Sequence, residues 1–240
     1  MKLLIIIPTL NEKNNINFIV NKIFFFLKKT DILFVDDNSL DGSQKLIKQL
    51  SKKNKNIFYI FRKKKYGIGS AHKIGFVWAK KKNYELCATM DCDRTHNPYY
   101  LKRMLSLIQK DYAIINTNRF KTFNSLQDWS LFRKMLTQIR FFFVKVLLNT
   151  NFDSSGGLRM YNLKKIDFKH FFLSKNNSYF FLIESLFYFE KLNYKIFEIP
   201  IILKKRTYEK SKMNVREVLN SLFFLIKLRF CKKNKIYSYL

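Results

Sequence analysis

The chain has 240 residues, with 46 Lys and Arg against 17 Asp and Glu, giving a formal net charge of +29. This length is sufficient for one large domain with a buried core. The charge indicates an anionic partner such as phosphates, nucleic acid or an acidic membrane, although a compositional bias toward Lys explains much of it equally well. Three cysteines without metal-ligand spacing argue against a disulfide framework and suit a reducing compartment.

Targeting and membrane-spanning segments are not expected. The first apolar run is ended too soon by Pro8 and Glu12 to be a secretory signal. No uncharged stretch exceeds nine residues, whereas a transmembrane helix needs about 20 mostly apolar residues. We therefore expect a cytoplasmic protein.

The first half of the chain alternates short apolar runs with helical patterns. This alternation is typical of βαβ units and a mostly parallel sheet, and the predicted strands are residues 3–7, 32–35, 57–61, 86–90 and 113–116. The first turn, Pro8-Thr9-Leu10-Asn11-Glu12, contains no glycine. The dinucleotide fingerprint is therefore absent, which disfavours a hydride-transfer enzyme.

Two polar segments follow the second and third predicted strands. The residues Ser39 to Ser43 combine polar caps with an acid and predict the entry to a helix. Gly67 and Gly69 then precede another helical pattern. Such a loop either brings backbone amides close to a phosphate or sugar, or forms a plain tight turn, and the sequence favours the turn.

The most informative motif is Asp91-Cys92-Asp93, which ends the fourth predicted strand. Ligands of open α/β sheets bind at the carboxyl ends of strands. Two carboxylates at this spacing are suited to Mg²⁺ or Mn²⁺, which prefer oxygen ligands and often retain phosphate oxygens. On its own, such a pair is more typical of a solvated turn than of a metal site, but a second acidic cluster, at Asp36, Asp37 and Asp41, also follows an apolar run. Cys92 is interpreted as a small spacer.

Two later segments, 132–148 and 218–230, are rich in Phe, Leu and Val but interrupted by Lys and Arg. Both are too short and too charged to span a bilayer. They are either ordinary amphipathic core helices or interfacial helices with their apolar faces in lipid and their cations on anionic headgroups. Arg133 and Arg140 lie seven residues apart and therefore share one helix face.

Several motifs occur in the order and spacing of family two inverting glycosyltransferases, which the chain resembles over most of its length. They are Pro8-Thr9-Leu10-Asn11-Glu12, Asp36-Asp37-Asn38-Ser39-Leu40-Asp41-Gly42, Gly67 with Gly69, and Asp91-Cys92-Asp93. Later motifs resemble polyprenyl-phosphate mannosyltransferases: Thr117-Asn118-Arg119-Phe120, Leu131-Phe132-Arg133-Lys134, Asp153-Ser154-Ser155, Phe181-Leu182-Ile183-Glu184, and Arg206 with Ser211-Lys212-Met213. The resemblance implies the α/β A-type glycosyltransferase fold, with a Rossmann-like, mostly parallel sheet, flanking helices and C-terminal amphipathic interface helices.

The resemblance also implies roles for particular residues. Asp93, assisted by Asp91, is expected to bind Mg²⁺ or Mn²⁺. The residues expected at the nucleotide sugar are Pro8, Glu12, Asp36, Asp37, Gly69, Asp91 and Lys212. Asp37 is preferred over Asp36, and the alternative role for one of these two is to cap the turn. Arg119, Arg133 and Arg206 are expected to hold the acceptor phosphate, because arginine is suited to bidentate phosphate binding. These arginines and the two aspartates form the expected catalytic set.

The chain departs from the family pattern at three places. Thr95 stands where a metal-contacting Gln is common. The usual Thr-Ser-Gly-Phe-Arg is represented by Ser155-Gly156-Gly157-Leu158-Arg159, and Glu209 replaces a glycine before the Ser-Lys-Met motif. Of these departures, the one at Thr95 concerns a metal contact of the family.

The leading hypothesis is the inverting transfer of mannose from GDP-mannose to a polyprenyl phosphate by a protein attached to the cytoplasmic face of an anionic membrane, alone or through a membrane subunit. A UDP-sugar donor is the alternative within this class, and a non-catalytic, basic, peripheral membrane protein is the alternative from another class. No nucleic-acid motif is visible, so nucleic acid is not an expected partner. We expect a catalytic domain over 1–212, with a nucleotide half to 116 and an acceptor half after it, followed by a basic helix and tail over 213–240.

Overall fold

The computed structural model describes residues 1–122, 124–204 and 223–230. A seven-stranded sheet forms its centre. The strands are β1 (Leu3–Thr9), β2 (Asp31–Asp36), β3 (Ile57–Phe61), β4 (Leu86–Thr89), β5 (Ile114–Asn118), β6 (Arg159–Asn162) and β7 (Ile196–Pro200).

The sheet has the order β3-β2-β1-β4-β6-β5-β7. All neighbouring strands are parallel except β6, which is antiparallel to both β4 and β5. The predicted mostly parallel sheet is confirmed. Since β6 reverses the direction between them, β4 and β5 point the same way, and the carboxyl ends of six strands lie at one edge.

Helices cover both faces of this sheet. They are α1 (Lys13–Phe26), α2 (Ser43–Lys53), α3 (Ile68–Lys81), α4 (Tyr99–Ile108), α5 (Leu131–Leu148), α6 (Phe180–Lys191) and α7 (223–229), with a short 3₁₀ helix at Phe168–Phe172. Alternate residues of β1 face opposite layers, so Ile5 packs with α1 and α4 while Ile6 packs with α3 and α6. This two-sided burial explains why β1 is a continuous apolar run.

A third apolar cluster joins α5, α6 and α7 outside the two main layers. Val144 and Leu148 of α5 pack with Phe187 of α6 and with Leu225 and Leu228 of α7. The amphipathic segment 132–148 and the described part of the segment 218–230 are therefore neighbours. Within the described residues, no helix combines the length and the apolar character required to cross a bilayer.

The predicted elements differ from the structure in their boundaries. The fourth strand ends at Thr89 rather than residue 90, and the fifth covers Ile114–Asn118 rather than 113–116. The expected division at residue 116 therefore falls inside β5, while the expected boundary after 212 lies outside the described residues. The helix entry at Ser39 to Ser43 is confirmed, because α2 begins at Ser43.

Candidate active site

A cavity lies at the carboxyl ends of β1, β2 and β4. Its walls come from the turns after these strands, the start of α3 and the segment before α6. Among the lining residues are Pro8, Glu12, Asp37, Arg62, Lys65, Gly67, Asp91, Asp93, Ser178 and Tyr179. Five of the residues expected from the sequence, Pro8, Glu12, Asp37, Asp91 and Asp93, are thus brought together at the sheet edge that binds ligands in α/β folds.

Asp37 forms a buried ion pair with Arg62 at one side of this cavity. Its Oδ2 also accepts a hydrogen bond from the Gly67 N–H at 2.9 Å, and Arg62 donates to Ser70 Oγ at 2.9 Å. Burial raises the pKa of Asp37, against the opposing charge of Arg62. The pair therefore fixes the turn after β2 against the start of α3. Arg62 was not predicted from the sequence.

Asp36 has a different position. Its Oδ1 accepts from the Ser39 N–H at 2.9 Å and from Gln44 Nε2 at 2.7 Å, and its Oδ2 accepts from Ser39 Oγ at 2.5 Å. The side chain is fully buried and holds the turn that leads to α2. Of the two aspartates considered, Asp36 is the one that caps the turn, while Asp37 lines the cavity.

The two glycines before α3 allow another segment to approach closely. Gly67 has φ +94°, and a Cβ there would lie 2.3 Å from the Asn177 carbonyl oxygen. A Cβ on Gly69 would lie 2.6 Å from Phe181 Cβ, and the Gly69 N–H donates to the Asn177 oxygen at 2.9 Å. Gly69, expected at the nucleotide sugar, is therefore engaged with the 176–181 segment, and Gly67 lines the cavity instead.

The acidic pair occupies the centre of the site. Asp93 is 5% exposed, and its Oδ1 accepts from both the Thr95 N–H at 3.1 Å and the Thr95 hydroxyl at 2.7 Å. The Asp91 N–H donates to His96 Nδ1 at 3.3 Å. Thr95, which replaces the common Gln, thus orients one carboxylate, and His96 fixes the backbone at the other.

The acidic pair suits a divalent cation bound together with a phosphorylated ligand. Within the described residues, no group of three or more His, Cys, Asp and Glu side chains is placed to hold a metal. Mg²⁺ is typically bound by one or two carboxylates plus substrate phosphates and water. Asp91 and Asp93, both facing the cavity, fit that mode.

A cluster of arginines lies beside the acidic pair, after β5. Arg119 donates from Nε to Asp153 Oδ2 at 2.8 Å and from Nη2 to Asp153 Oδ1 at 2.7 Å, and Nη2 also donates to Ser155 Oγ. Arg119 and Asp153 are both buried. Burial alone would lower the pKa of Arg119, but the charges of Asp153 and Asp91 raise it, so the guanidinium stays charged.

Helix α5 contributes two further arginines to this cluster. The Arg133 guanidinium lies 3.8 Å from the centre of the Trp129 ring. Arg140 donates from Nη2 to Ser155 Oγ at 3.3 Å, the same oxygen that Arg119 contacts. Arg140 was not among the residues expected to hold the acceptor, although its spacing of seven from Arg133 signalled a shared helix face.

The two halves of the site meet at the 153–157 segment. A Cβ on Gly157 would lie 3.0 Å from Asp91 Oδ1, so this glycine permits the close approach. The Thr89 hydroxyl donates to the Gly157 carbonyl at 2.7 Å, which connects the segment to the end of β4. The arginine cluster is therefore a direct neighbour of the acidic pair.

A buried polar network on β5 and β7 lies next to the arginine cluster and holds Asp153 in place. It was not predicted from the sequence. Glu198 on β7 accepts from Asn116 Nδ2 at 2.7 Å, from Asn118 Nδ2 at 2.6 Å and from the Asp153 N–H at 2.7 Å. The fully buried Arg159 donates to Asn116 Oδ1 at 3.1 Å. The only signal was a run of Asn and Thr in an otherwise apolar strand.

The remaining expectations concern residues elsewhere. Arg206 and Lys212, expected at the acceptor phosphate and the nucleotide sugar, lie outside the described residues. Glu184 accepts from Ser174 Oγ at 2.5 Å and from the Tyr188 hydroxyl at 3.2 Å, so these hydrogen bonds connect α6 to the segment that precedes it. His72 is fully buried and its pKa is lowered to about 3 by burial and the charge of Arg159, so it is neutral.

Comparisons with known proteins agree with this arrangement. Residues 4–168 match the family model described as glycosyl transferase family 2. The undecaprenyl-phosphate mannosyltransferase of Micrococcus luteus is 28% identical over 218 residues, covering 89% of this chain and 88% of that protein. The polyprenol monophosphomannose synthase of Mycolicibacterium smegmatis is 29% identical over 224 residues, covering 90% of this chain and 83% of that protein.

Among solved structures, a mannosyltransferase from Pyrobaculum calidifontis in complex with GDP-Man and Mn²⁺ is similar to this chain with a TM-score of 0.61. The identity is 13%, and the match covers 99% of this chain and 68% of that one. At this identity the similarity establishes the fold, which is the expected A-type glycosyltransferase fold. Together with the family match over more than half of its length, this shows that the chain belongs to glycosyl transferase family 2.

Proposed function

We propose that this glycosyltransferase moves a mannosyl group from GDP-mannose to a polyprenyl monophosphate, with inversion at the anomeric carbon. The observation that carries the proposal is the contact between the two halves of the site. An acidic pair lines a cavity that suits a nucleoside diphosphate. Directly beside it lies a cluster of arginines that suits a second phosphate. The names of the two similar mannosyltransferases support the same donor sugar and acceptor class.

The nucleotide end of the donor is assigned to the Asp37 side of the cavity. Asp37 and Arg62 hold the turn after β2 in one position, and Lys65 and Tyr179 also line the wall. A bound divalent metal, held by Asp93 and Asp91, would neutralise charge on the diphosphate and so improve it as a leaving group.

The acceptor requires delivery rather than activation by a base. A phosphate monoester is already anionic at neutral pH, so one of its oxygens attacks the anomeric carbon as the bond to the nucleoside diphosphate breaks. Attack from the face opposite the leaving group inverts the configuration. The chain therefore needs cations that orient the acceptor, which is the role we assign to the arginine cluster.

The apolar face of α5 is assigned to an anionic membrane surface. Eight large apolar side chains of this helix are between 44% and 83% exposed: Leu131, Phe132, Met135, Leu136, Ile139, Phe142, Phe143 and Val146. Three apolar side chains at the neighbouring α7 are also exposed: Phe223 and Ile226 within the helix, and Phe230 just after it. Lys227 and Arg229 lie beside them. Contiguous apolar patches of this kind mark interaction sites, and flanking cations favour anionic lipid.

The transfer is tested with purified protein, a short polyprenyl phosphate, and either GDP-mannose or UDP-glucose, with Mn²⁺ or with excess chelator. We expect GDP-mannose to be used and chelator to abolish turnover. Asp93→Asn should reduce the rate by on the order of 10²-fold or more, because it removes a metal-binding charge. The matched control is Asp111→Asn, which makes the same chemical change at an exposed aspartate paired with two lysines. Preference for UDP-glucose would change the donor, and no transfer from either donor would contradict the proposal.

A further inference from the structure

We propose that Lys73 is a positioning residue of the donor cavity, which holds the segment 174–179 against α3 so that this segment forms one wall for the sugar nucleotide. The inference rests on the proposed function and deepens it, because it names a residue that sets the affinity for the nucleoside diphosphate of the donor. The described residues that line the cavity include Ser178 and Tyr179 but not Lys73. Lys73 therefore acts through the segment rather than on the ligand.

The segment 174–179 approaches α3 closely because two residues of this helix receive it. Gly69 and Lys73 lie four residues apart and therefore share one face of the helix. A Cβ on Gly69 would lie 2.9 Å from the Asn176 carbonyl oxygen, so a larger residue would push the segment away from α3. The Gly69 N–H donates to the Asn177 carbonyl oxygen at 2.9 Å.

Lys73 fastens the same segment with its ammonium group. Its Nζ donates to the Asn176 carbonyl oxygen at 3.0 Å and to Asn177 Oδ1 at 3.1 Å. The Nζ also lies 5.5 Å from the centre of the Phe181 ring, at the start of α6. One side chain thus joins α3 to the segment and to the helix that follows it.

This attachment passes directly to the cavity wall. Asn176 Oδ1 accepts from the Ser178 N–H at 2.9 Å and from the Ser178 hydroxyl at 2.6 Å. Fixing Asn176 therefore fixes Ser178, which lines the cavity together with Tyr179. At the beginning of the segment, the Ser174 hydroxyl donates to Glu184 Oε2 on α6 at 2.5 Å. The segment is thus held by α6 at one point and by α3 at another, and the wall depends on both.

The surroundings of Lys73 favour these hydrogen bonds. Burial lowers the pKa of Lys73, the charge of Glu184 opposes this change, and the charge of Lys175 adds to it. A partly buried ammonium group that has lost contact with water is stabilised by oxygen acceptors at close range. A methionine at this position would keep an apolar stem of similar length but offer no donor, so the segment would lose both hydrogen bonds.

The first test measures nucleotide binding without turnover, by calorimetric titration of the full chain with GDP in the presence of Mn²⁺. Lys73→Met should weaken GDP binding about 5- to 50-fold, the range expected when hydrogen bonds from a charged donor are lost. Lys73→Arg, which keeps a charge and donors, should recover part of the affinity. The matched control is Lys81→Met, at the exposed last residue of α3, which should bind GDP like the unmodified protein.

A double-mutant cycle shows whether the effect passes through the segment. Asn177→Ala removes one of the two acceptors and should weaken GDP binding less than Lys73→Met does. The two changes together should weaken binding no further than Lys73→Met alone, because the contact is already lost. Additive losses would show that Lys73 does not act through the segment and would overturn the inference.

Two further measurements separate positioning from a general loss of structure. In hydrogen exchange, Lys73→Met should speed the exchange of amides in 174–179 and leave those of β1 and β2 protected. In the transfer assay, it should raise the KM for the sugar nucleotide and leave the KM for the polyprenyl phosphate unchanged. A merely structural lysine would instead lower the Tm and change both KM values together, and that result would also overturn the inference.

The outcomes distinguish this inference from the proposed function. If Lys73→Met binds GDP as tightly as the unmodified protein, Lys73 has no positioning role, while the donor class stands. If the unmodified protein binds UDP but not GDP, the donor of the proposed function is wrong, and the same comparison made with UDP decides the role of Lys73. If neither nucleotide binds, the inference and the proposed function are both overturned.

Discussion

Replacing Asp153 with Asn should destabilise the fold by breaking a buried ion pair in the arginine cluster. Asp153 is fully buried and Arg119 is 6% exposed. The change keeps the side-chain shape but removes the charge opposite Arg119, with Arg140 close by. Removing one partner of a buried pair typically costs about 3–5 kcal/mol, because the other charge remains buried without compensation.

The expected shift in Tm follows from the chain length. For proteins of about 150–250 residues, each kcal/mol corresponds to about 2–4 °C, so Asp153→Asn should lower the Tm by roughly 6–20 °C. Calorimetry or thermal unfolding followed by circular dichroism measures this. Asp111→Asn changes the same atoms at an exposed site paired with Lys165 and Lys195, and should shift the Tm by less than about 4 °C.

The loss of Tm caused by Asp153→Asn should become smaller as the pH falls. Burial alone would raise the pKa of Asp153, but the charge and hydrogen bonds of Arg119, with the charge of Arg140, hold it below its usual value. The stabilisation is therefore complete above the unfolded pKa of about 3.9 and is lost as the pH falls through the lower folded pKa. The Tm difference between Asp153→Asn and the unmodified protein should shrink below about pH 4. Equal Tm values at pH 7 would refute the assignment of the pair as the anchor of the cluster.

Two further predictions concern the donor cavity and the outer face of α5. Gly67→Ala should lower the Tm and raise the KM for the sugar nucleotide in a transfer assay, since its Cβ would meet the Asn177 oxygen at 2.3 Å next to residues that line the cavity. Gly42→Ala has a similar positive φ but contacts only a Lys side chain, so equal effects of the two changes would contradict the clash. Phe142→Asp should weaken binding to anionic vesicles about tenfold or more in flotation assays, because the exposed Phe142 ring would no longer be buried in the lipid. Val77→Asp, exposed on α3, should bind as before, and equal losses would refute the assigned face.

The sheet and most of the donor cavity were predictable because their signals are local in sequence. A strand buried on both faces reads as an apolar run, and the polar residues at its end mark the edge where ligands bind. This reasoning brought Asp37, Asp91 and Asp93 to one cavity. The preference for Asp37 over Asp36 came from the family resemblance rather than from the strand pattern, because which of two adjacent side chains faces the ligand depends on the turn that follows.

The contacts that sequence reasoning missed join residues distant in the chain. Arg62 faces Asp37 only because β2 and β3 pair in parallel, and Glu198 reaches Asp153 only because β7 pairs with β5. The strand order 4-6-5 was equally hidden, since an antiparallel strand inserted between two parallel ones leaves no periodicity of its own. In a chain of such high positive charge, one more arginine carries little information until its partners are known.

The antiparallel strand β6 explains why the two halves of the site depend on each other. Thr89, at the end of β4, lies opposite Arg159 on β6, and Asn116 on β5 lies opposite Arg159 on the other side. The segment that leads into β6 therefore carries Asp153 and Ser155 to the arginine cluster and Gly157 to within contact of Asp91. One short segment thus sets the distance between the proposed metal site and the proposed phosphate site. A shift in that segment would separate donor from acceptor without altering either set of residues.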